Sequence, residues 1–307
     1  MTSGRPLLAL TGATGFVGKT VIAQALAQGF EIRALTRRPQ PPRAGVTWVD
    51  GALDRPESLL TLLHGSEAVM HIAGVVNAPD RAGFEDGNVR GTLSVVEAAL
   101  KTGVPRFVHI SSLSAREPGL SDYGWSKRRA EQVVAASGLD WTMVRPPAIY
   151  GPEDTEMFEL FRMARRGLVL LPPGGRLSVI EVSDLARLLL ALVPDRQSTC
   201  AIYEADDGTD AGWSHQEFAQ LLGAAFDRRV RTYAAPERLL NIASRFDRTV
   251  RRSKAKLTDD RVRYFCHPDW VINPANRPPA TLWQPQIETE SGIRATADWY
   301  LESGWLR

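Results

Sequence analysis

The stretch Gly12-Ala-Thr-Gly15-Phe-Val-Gly18 constrains this chain more than any other. It follows a short apolar run, Leu7-Leu-Ala-Leu10, long enough for one buried strand. After it, Val21, Ile22, Ala25 and Leu26 recur at helical spacing. A strand, a glycine turn and a helix in that order begin a βαβ unit. Its glycines let backbone N–H groups approach a pyrophosphate, and the helix N-terminus adds its positive end. Read from Ala13, the same stretch is A-x-x-x-x-G-K-T, one residue from a triphosphate-binding loop. That loop needs glycine where Ala13 stands. It also needs an acidic strand end for magnesium, which Ala68–Ala73 lacks.

Downstream, strands are expected near 31–36, 46–50, 68–73, 106–111 and 141–145, with helices between them. That alternation predicts an α/β Rossmann-type doubly wound parallel sheet. The second strand ends in Thr36-Arg37-Arg38-Pro39. An NAD site places Asp or Glu near this point for the ribose hydroxyls. Two guanidiniums fit a 2′-phosphate instead, so NADP is expected, with NAD as the alternative.

A second string, Tyr123-Gly-Trp-Ser-Lys127, sets a phenol and an ammonium on one helix face. A free tyrosine titrates near ~10 and is a weak base at neutral pH. A nearby ammonium favours the phenolate, which makes Tyr123 a general acid/base candidate. Ser112 closes the strand Phe107-Val-His-Ile-Ser-Ser112 and would donate to a substrate oxygen, with Ser111 and Ser114 as competitors.

These strings resemble the extended, epimerase/dehydratase-type short-chain dehydrogenase/reductase superfamily. The resemblance runs from Leu7 to about Tyr203 and includes His71-Ile-Ala-Gly74, Asn88-Val-Arg-Gly-Thr92, Arg145-Pro-Pro-Ala-Ile-Tyr-Gly151 and Val182-Ser-Asp-Leu-Ala186. It selects Ser112 over Ser111 and implies that Ser112, Tyr123 and Lys127 are catalytic. It implies that Gly12, Thr14, Gly15, Phe16, Val17, Leu53, Ala73, Gly74, Pro146 and Ile149 hold the cofactor with Arg37, Arg38, Tyr123 and Lys127. Gly51-Ala52-Leu53 departs from the family's G-D-L, so the carboxylate that touches adenine is missing. The resemblance further implies a dinucleotide-binding domain over 1–150, with 181–204 returning to it. A substrate-binding lobe would form from 151–180 and 205–307. A homodimer is implied through the helices beginning near Asn88 and Tyr123. The reading is an NADP-dependent oxidoreductase acting on a small-molecule carbonyl/alcohol pair. Its alternatives are a nucleotide-sugar epimerase and a non-catalytic NADP-binding regulator or accessory subunit.

Composition narrows the rest. Thirty-seven Lys/Arg against 35 Asp/Glu give a net charge of +2, with no global attraction to nucleic acid. The two cysteines, Cys200 and Cys266, form no metal or redox pattern, so no metal is expected and a reducing cytoplasm fits. The first strand begins by residue 7, which leaves no room for a signal peptide. Met157, Phe158, Leu160, Phe161 and Met163 form an apolar helix edge, either core or pocket wall. Between Arg228 and Arg263 stand twelve Lys/Arg and four acids, with an apolar stripe at Leu239, Ile242, Ala243, Phe246 and Val250. Such a segment packs as a core helix with a solvated basic face, faces an anionic substrate, or touches an anionic membrane surface.

Overall fold

The computed structural model describes residues 5–236, 238 and 259–306. The first half alternates β1 (Leu7–Thr11), α1 (Phe16–Ala27), β2 (Glu31–Thr36), β3 (Val46–Asp50), α2 (Pro56–Leu63), β4 (Ala68–His71), α3 (Arg81–Phe84), α4 (Gly91–Thr102), β5 (Phe107–Ile110), α5 (Asp122–Ala135) and β6 (Trp141–Arg145). There follow β7 (Ala148–Tyr150), α6 (Phe158–Arg165), β8 (Leu168–Leu171), β9 (Arg176–Leu177), β10 (Val179–Glu181), α7 (Val182–Ala191) and β11 (Ala201–Glu204). The remaining described elements are β12 (Trp213–Ser214), α8 (His215–Ala224), β13 (Arg231–Ala234), α9 (Asp259–Cys266), β14 (Asp269–Trp270) and α10 (Thr289–Glu302).

Seven strands form one parallel sheet in the order β11-β6-β5-β4-β1-β2-β3. The chain winds one way from β1 to β3 and the other way from β4 to β11. The order therefore reverses between β1 and β4, and a crevice opens outside the carboxyl ends of those strands. Burial explains the composition of the strands: β4, β5 and β6 are buried along their whole length, as strands covered on both faces must be. Side-chain alternation sends Leu8 and Leu10 to one core, with Val21 and Ile22 of α1 and Leu185 and Leu188 of α7. It sends Ala9 to the other core, with Leu59 and Leu62 of α2, Val95 of α4 and Phe107 of β5.

A third core gathers Tyr150, Phe161, Val169, Phe218, Leu222, Ile293 and Tyr300. It draws on 151–180 and on the segment after 205, the two stretches assigned to the lobe from sequence. Small sheets β13-β8 and β12-β9-β14 flank it. The segment 181–204 supplies α7 and β11 to the main sheet side. The apolar stripe from Leu239 to Val250 lies outside the described residues, as does most of the basic stretch 228–263. Among the described residues, no helix is long and apolar enough to cross a membrane.

Two buried ionic networks fix the sheet. Arg145 at the end of β6 holds Glu131 of α5 with two bonds of 2.7 Å and reaches Glu204 of β11 at 3.4 Å. Arg106 just before β5 is fully buried and donates to the Leu192 carbonyl, Asp140 and Ser198. Removing one member of such a set strands its partners without water. Arg106→Ala is therefore expected to cost about 3–5 kcal/mol in urea unfolding. Arg162→Ala, which breaks the surface pair with Glu159, is expected to stay within about 0.5 kcal/mol.

Candidate active site

The glycine turn sits at the mouth of the crevice. Gly12 has φ +73°, and a Cβ there would stand 2.6 Å from the Ala73 nitrogen. Glycine is required both by conformation and by the approach of β4. A Cβ on Gly18 would stand 2.2 Å from the Gly12 carbonyl oxygen, so α1 packs directly on the turn. The α1 N-terminus has no side-chain cap and no acid in its first turn. Its N–H groups are thus open to an anion. Gly12, Thr14, Gly15, Phe16 and Val17 all line the same cleft. The shape and chemistry of this cradle fit the pyrophosphate of a dinucleotide.

At the ends of β2 and β3, Arg37 and Leu53 line the cleft and Arg38 does not. Thr36 Oγ1 donates to the Arg38 carbonyl at 2.6 Å, a local turn that leaves the Arg38 side chain exposed. Arg55 and Asp54 also line this end. Sequence reading missed both. Ala52 drew attention to a missing acid, whereas a carboxylate stands two residues further along the same wall.

Behind Ala73 and Gly74, which line the cleft, a chain of hydrogen bonds sets one tautomer of His71. Thr92 Oγ1 donates to the Asn88 carbonyl at 2.6 Å, so it accepts from His71 Nε2 at 3.0 Å. His71 Nδ1 then accepts from Thr11 Oγ1 at 2.7 Å, and that oxygen takes the Ala73 N–H at 3.2 Å. Burial, with Lys127 nearby, pushes the imidazole down to about 3, so His71 is neutral. Asn88 lies in a π-helical turn between α3 and α4. It accepts from Val75 N at 2.6 Å and donates to the Val75 carbonyl and Ser126 Oγ, both at 2.9 Å. Its Oδ1 and Lys127 Nζ lie 3.2 and 3.8 Å from where a Gly74 Cβ would be.

The two serines after β5 diverge as extended residues do. Ser111 donates to Glu131 at 2.6 Å and joins the structural network. Ser112 lines the cleft, accepts from Ser114 Oγ at 2.9 Å, and is hydrogen-bonded to Tyr123. Tyr123 enters from the first turn of α5, whose N-cap Ser121 accepts from Gly124 N. One turn later Lys127 is buried and donates to the Ile110 carbonyl at 2.7 Å. Burial pushes its ammonium down to about 8, with Glu131 pulling the other way.

Burial raises the Tyr123 pKa, and the Ser112 hydrogen bond opposes this. The phenol is thus held in its protonated form. Pro146 is buried, its carbonyl accepting from Leu113 N at 2.9 Å, while Pro147 and Ile149 line the cleft. The cleft holds about 1980 Å³. Ordinary small-molecule pockets reach roughly 1,000 Å³, so a dinucleotide and a sizeable second molecule both have room.

The NAD(P)H-binding family profile matches residues 12–195. A ceramide reductase of Caulobacter vibrioides is 34% identical over 99% of this chain and 98% of its own length. A UDP-glucose 4-epimerase of Vibrio cholerae is 25% identical, covering 71% of this chain and 75% of its own length. The Bordetella bronchiseptica enzyme WbmG, solved with NAD and UDP, shares the fold at a TM-score of 0.75 and 18% identity, covering 99% of this chain and 97% of that one. With its glycine turn, switch-point crevice and seven-stranded parallel sheet, the chain belongs to the NAD(P)-binding extended short-chain dehydrogenase/reductase superfamily.

Proposed function

We propose that this protein is an NADP-dependent oxidoreductase that interconverts a carbonyl and an alcohol, with Ser112, Tyr123 and Lys127 at the reacting centre. The observation that carries this reading is the partly buried Tyr123 phenol, hydrogen-bonded to Ser112 on the wall of the cleft that also contains the glycine turn. A phenol held in its protonated form is the form that can give a proton to a carbonyl oxygen. The nicotinamide, when bound, supplies the hydride for the carbonyl carbon. Ser112 donates a hydrogen bond to the carbonyl oxygen and steadies the charge that gathers there. Tyr123 transfers its proton to that oxygen. Lys127 stabilises the phenolate left behind.

Gly12 and the open α1 N-terminus would hold the pyrophosphate, and Arg37, aided by Arg55, the 2′-phosphate. The ceramide reductase relative, aligned along almost all of both chains, supports reduction over epimerisation. An epimerase regenerates its cofactor within each cycle and retains it. Stoichiometric nicotinamide surviving dialysis would favour that second reading, and cofactor binding without turnover would favour a regulator.

NADPH is expected to bind more tightly than NADH, and Arg37→Ala to remove most of the difference. Equal dissociation constants in the unaltered protein would overturn the cofactor assignment. Tyr123→Phe keeps the ring and removes the proton. It is expected to lower kcat by about 10²–10⁴-fold with NADPH affinity nearly kept. Since the Lys127 ammonium is lost above about 8, kcat/KM for reduction is expected to fall as pH rises through that value. A profile flat from pH 6 to 10 would remove Lys127 from the mechanism.

A further inference from the structure

Beside the cleft, one sheet face of the lobe is exposed. β8 follows α6, whose Phe161 is core while Leu160 and Met163 line the cleft. β8 pairs in parallel with β13, setting Leu168 beside Arg231 and Leu170 beside Tyr233. Paired residues of neighbouring strands project to the same side, and successive residues to opposite sides. Val169 thus turns inward and is fully buried in the third core. Leu168, Leu170 and Tyr233 turn outward and are 43%, 54% and 58% exposed. Isolated exposed leucines are ordinary, whereas neighbours sharing one face form a patch, and such patches mark interaction sites.

Guanidiniums frame this patch. Arg166 closes α6 two residues before Leu168. The Arg231 N–H donates to the Gly167 carbonyl at 2.9 Å, which fixes Arg231 at the patch itself. Arg229 stands in the turn that enters β13, and all three arginines are exposed. Two acids of the flanking segments are already paired, Glu159 with Arg162 and Asp227 with Arg294. At its other end the patch reaches the cleft, since Leu170 and the Ala235 that follows β13 also line it.

Charge narrows the choice of occupant. A two-fold contact between copies would lay this surface on itself and bring like guanidiniums together. A nucleic-acid backbone would answer the arginines and offer nothing to the leucines. An anionic bilayer answers both, since apolar side chains and a tyrosine enter the headgroup boundary while arginines meet lipid phosphates. We propose that the outer face of the β8–β13 sheet docks on an anionic membrane surface. Leu168, Leu170 and Tyr233 enter the headgroup layer, and Arg166, Arg229 and Arg231 pair with its phosphates. The cleft edge at Leu170 and Ala235 then lies against the membrane.

The full chain is sedimented with sucrose-loaded vesicles of phosphatidylcholine, with or without about one third phosphatidylglycerol, at about 0.05 M and about 0.5 M salt. Binding to the anionic vesicles is expected, at least ~tenfold weaker to the neutral ones and weakened by salt. Arg229→Gln with Arg231→Gln is expected to lower anionic binding at least ~tenfold. Leu168→Ser with Tyr233→Ser is expected to lower it by a similar ~tenfold. Both positions of this second pair are exposed and neither lines the cleft, so its thermal midpoint and NADPH affinity should be kept. No binding at low salt, equal binding to the two kinds of vesicle, or full binding by either double variant would overturn the proposal. Sedimentation equilibrium without vesicles tests a second copy as the occupant. An assembly that Leu168→Ser with Tyr233→Ser takes apart would overturn the membrane assignment.

Discussion

The bond from Lys127 Nζ to the Ile110 carbonyl ties the site together. Ile110 is the last residue of β5, and Lys127 lies in the second turn of α5. Ser112 follows two residues after Ile110, and Tyr123 precedes Lys127 by one turn. This contact, with the Ser111–Glu131 bond and the close approach of Gly124 to the Ser114 carbonyl, holds the strand end against the helix that carries Tyr123. It is buried, so it is not exchanged for water. A substitution at 127 would disturb geometry and charge at once, whereas Tyr123→Phe keeps the ring against Phe84 and removes only the hydroxyl.

Burying that ammonium has consequences around it. Two imidazoles, His71 and His109, stack 5.2 Å apart at the sheet's carboxyl side, and both are held neutral by burial and then by Lys127. Neutrality lets His71 donate through one nitrogen and accept through the other, which orders Thr11, Thr92 and the Ala73 N–H along the crevice wall. A protonated ring would have two donors and would break that chain at Thr11. The fixed loop behind Gly74 thus depends on the same low-dielectric pocket that lowers Lys127.

The parts legible in the sequence were those written in periodicity and in glycine. The strand starting at Leu7 and the turn at Gly12 follow from an apolar run and a steric need, and the observed strands 31–36, 46–50 and 141–145 coincide with the expected ones. The strands near 68 and 106 end at His71 and Ile110, short of the expected 73 and 111. The two-residue strands β9, β12 and β14 were invisible, since two residues carry no period. Motif reading sets Tyr123 one turn from Lys127, yet it does not show that burial raises the phenol's pKa. Nor does it single out Pro147 and Arg55, which line the cleft beside the residues that the motifs name.

A last point concerns how the protein separates structural charge from chemical charge within one helix. Glu131 is one turn beyond Lys127 on α5, a spacing at which acid and ammonium ordinarily pair. Here Glu131 gives its oxygens to Arg145, Ser111 and Arg128, and those partners hold its carboxyl below the usual range despite burial. Ser111 is the residue that β5 turns away from the cleft, so adjacent serines serve opposite networks. Glu131 still acts on Lys127 through space, raising its pKa against the burial that lowers it. The Arg145–Glu131–Glu204 cluster therefore joins α5, β6 and β11 and leaves Lys127 Nζ to the Ile110 carbonyl.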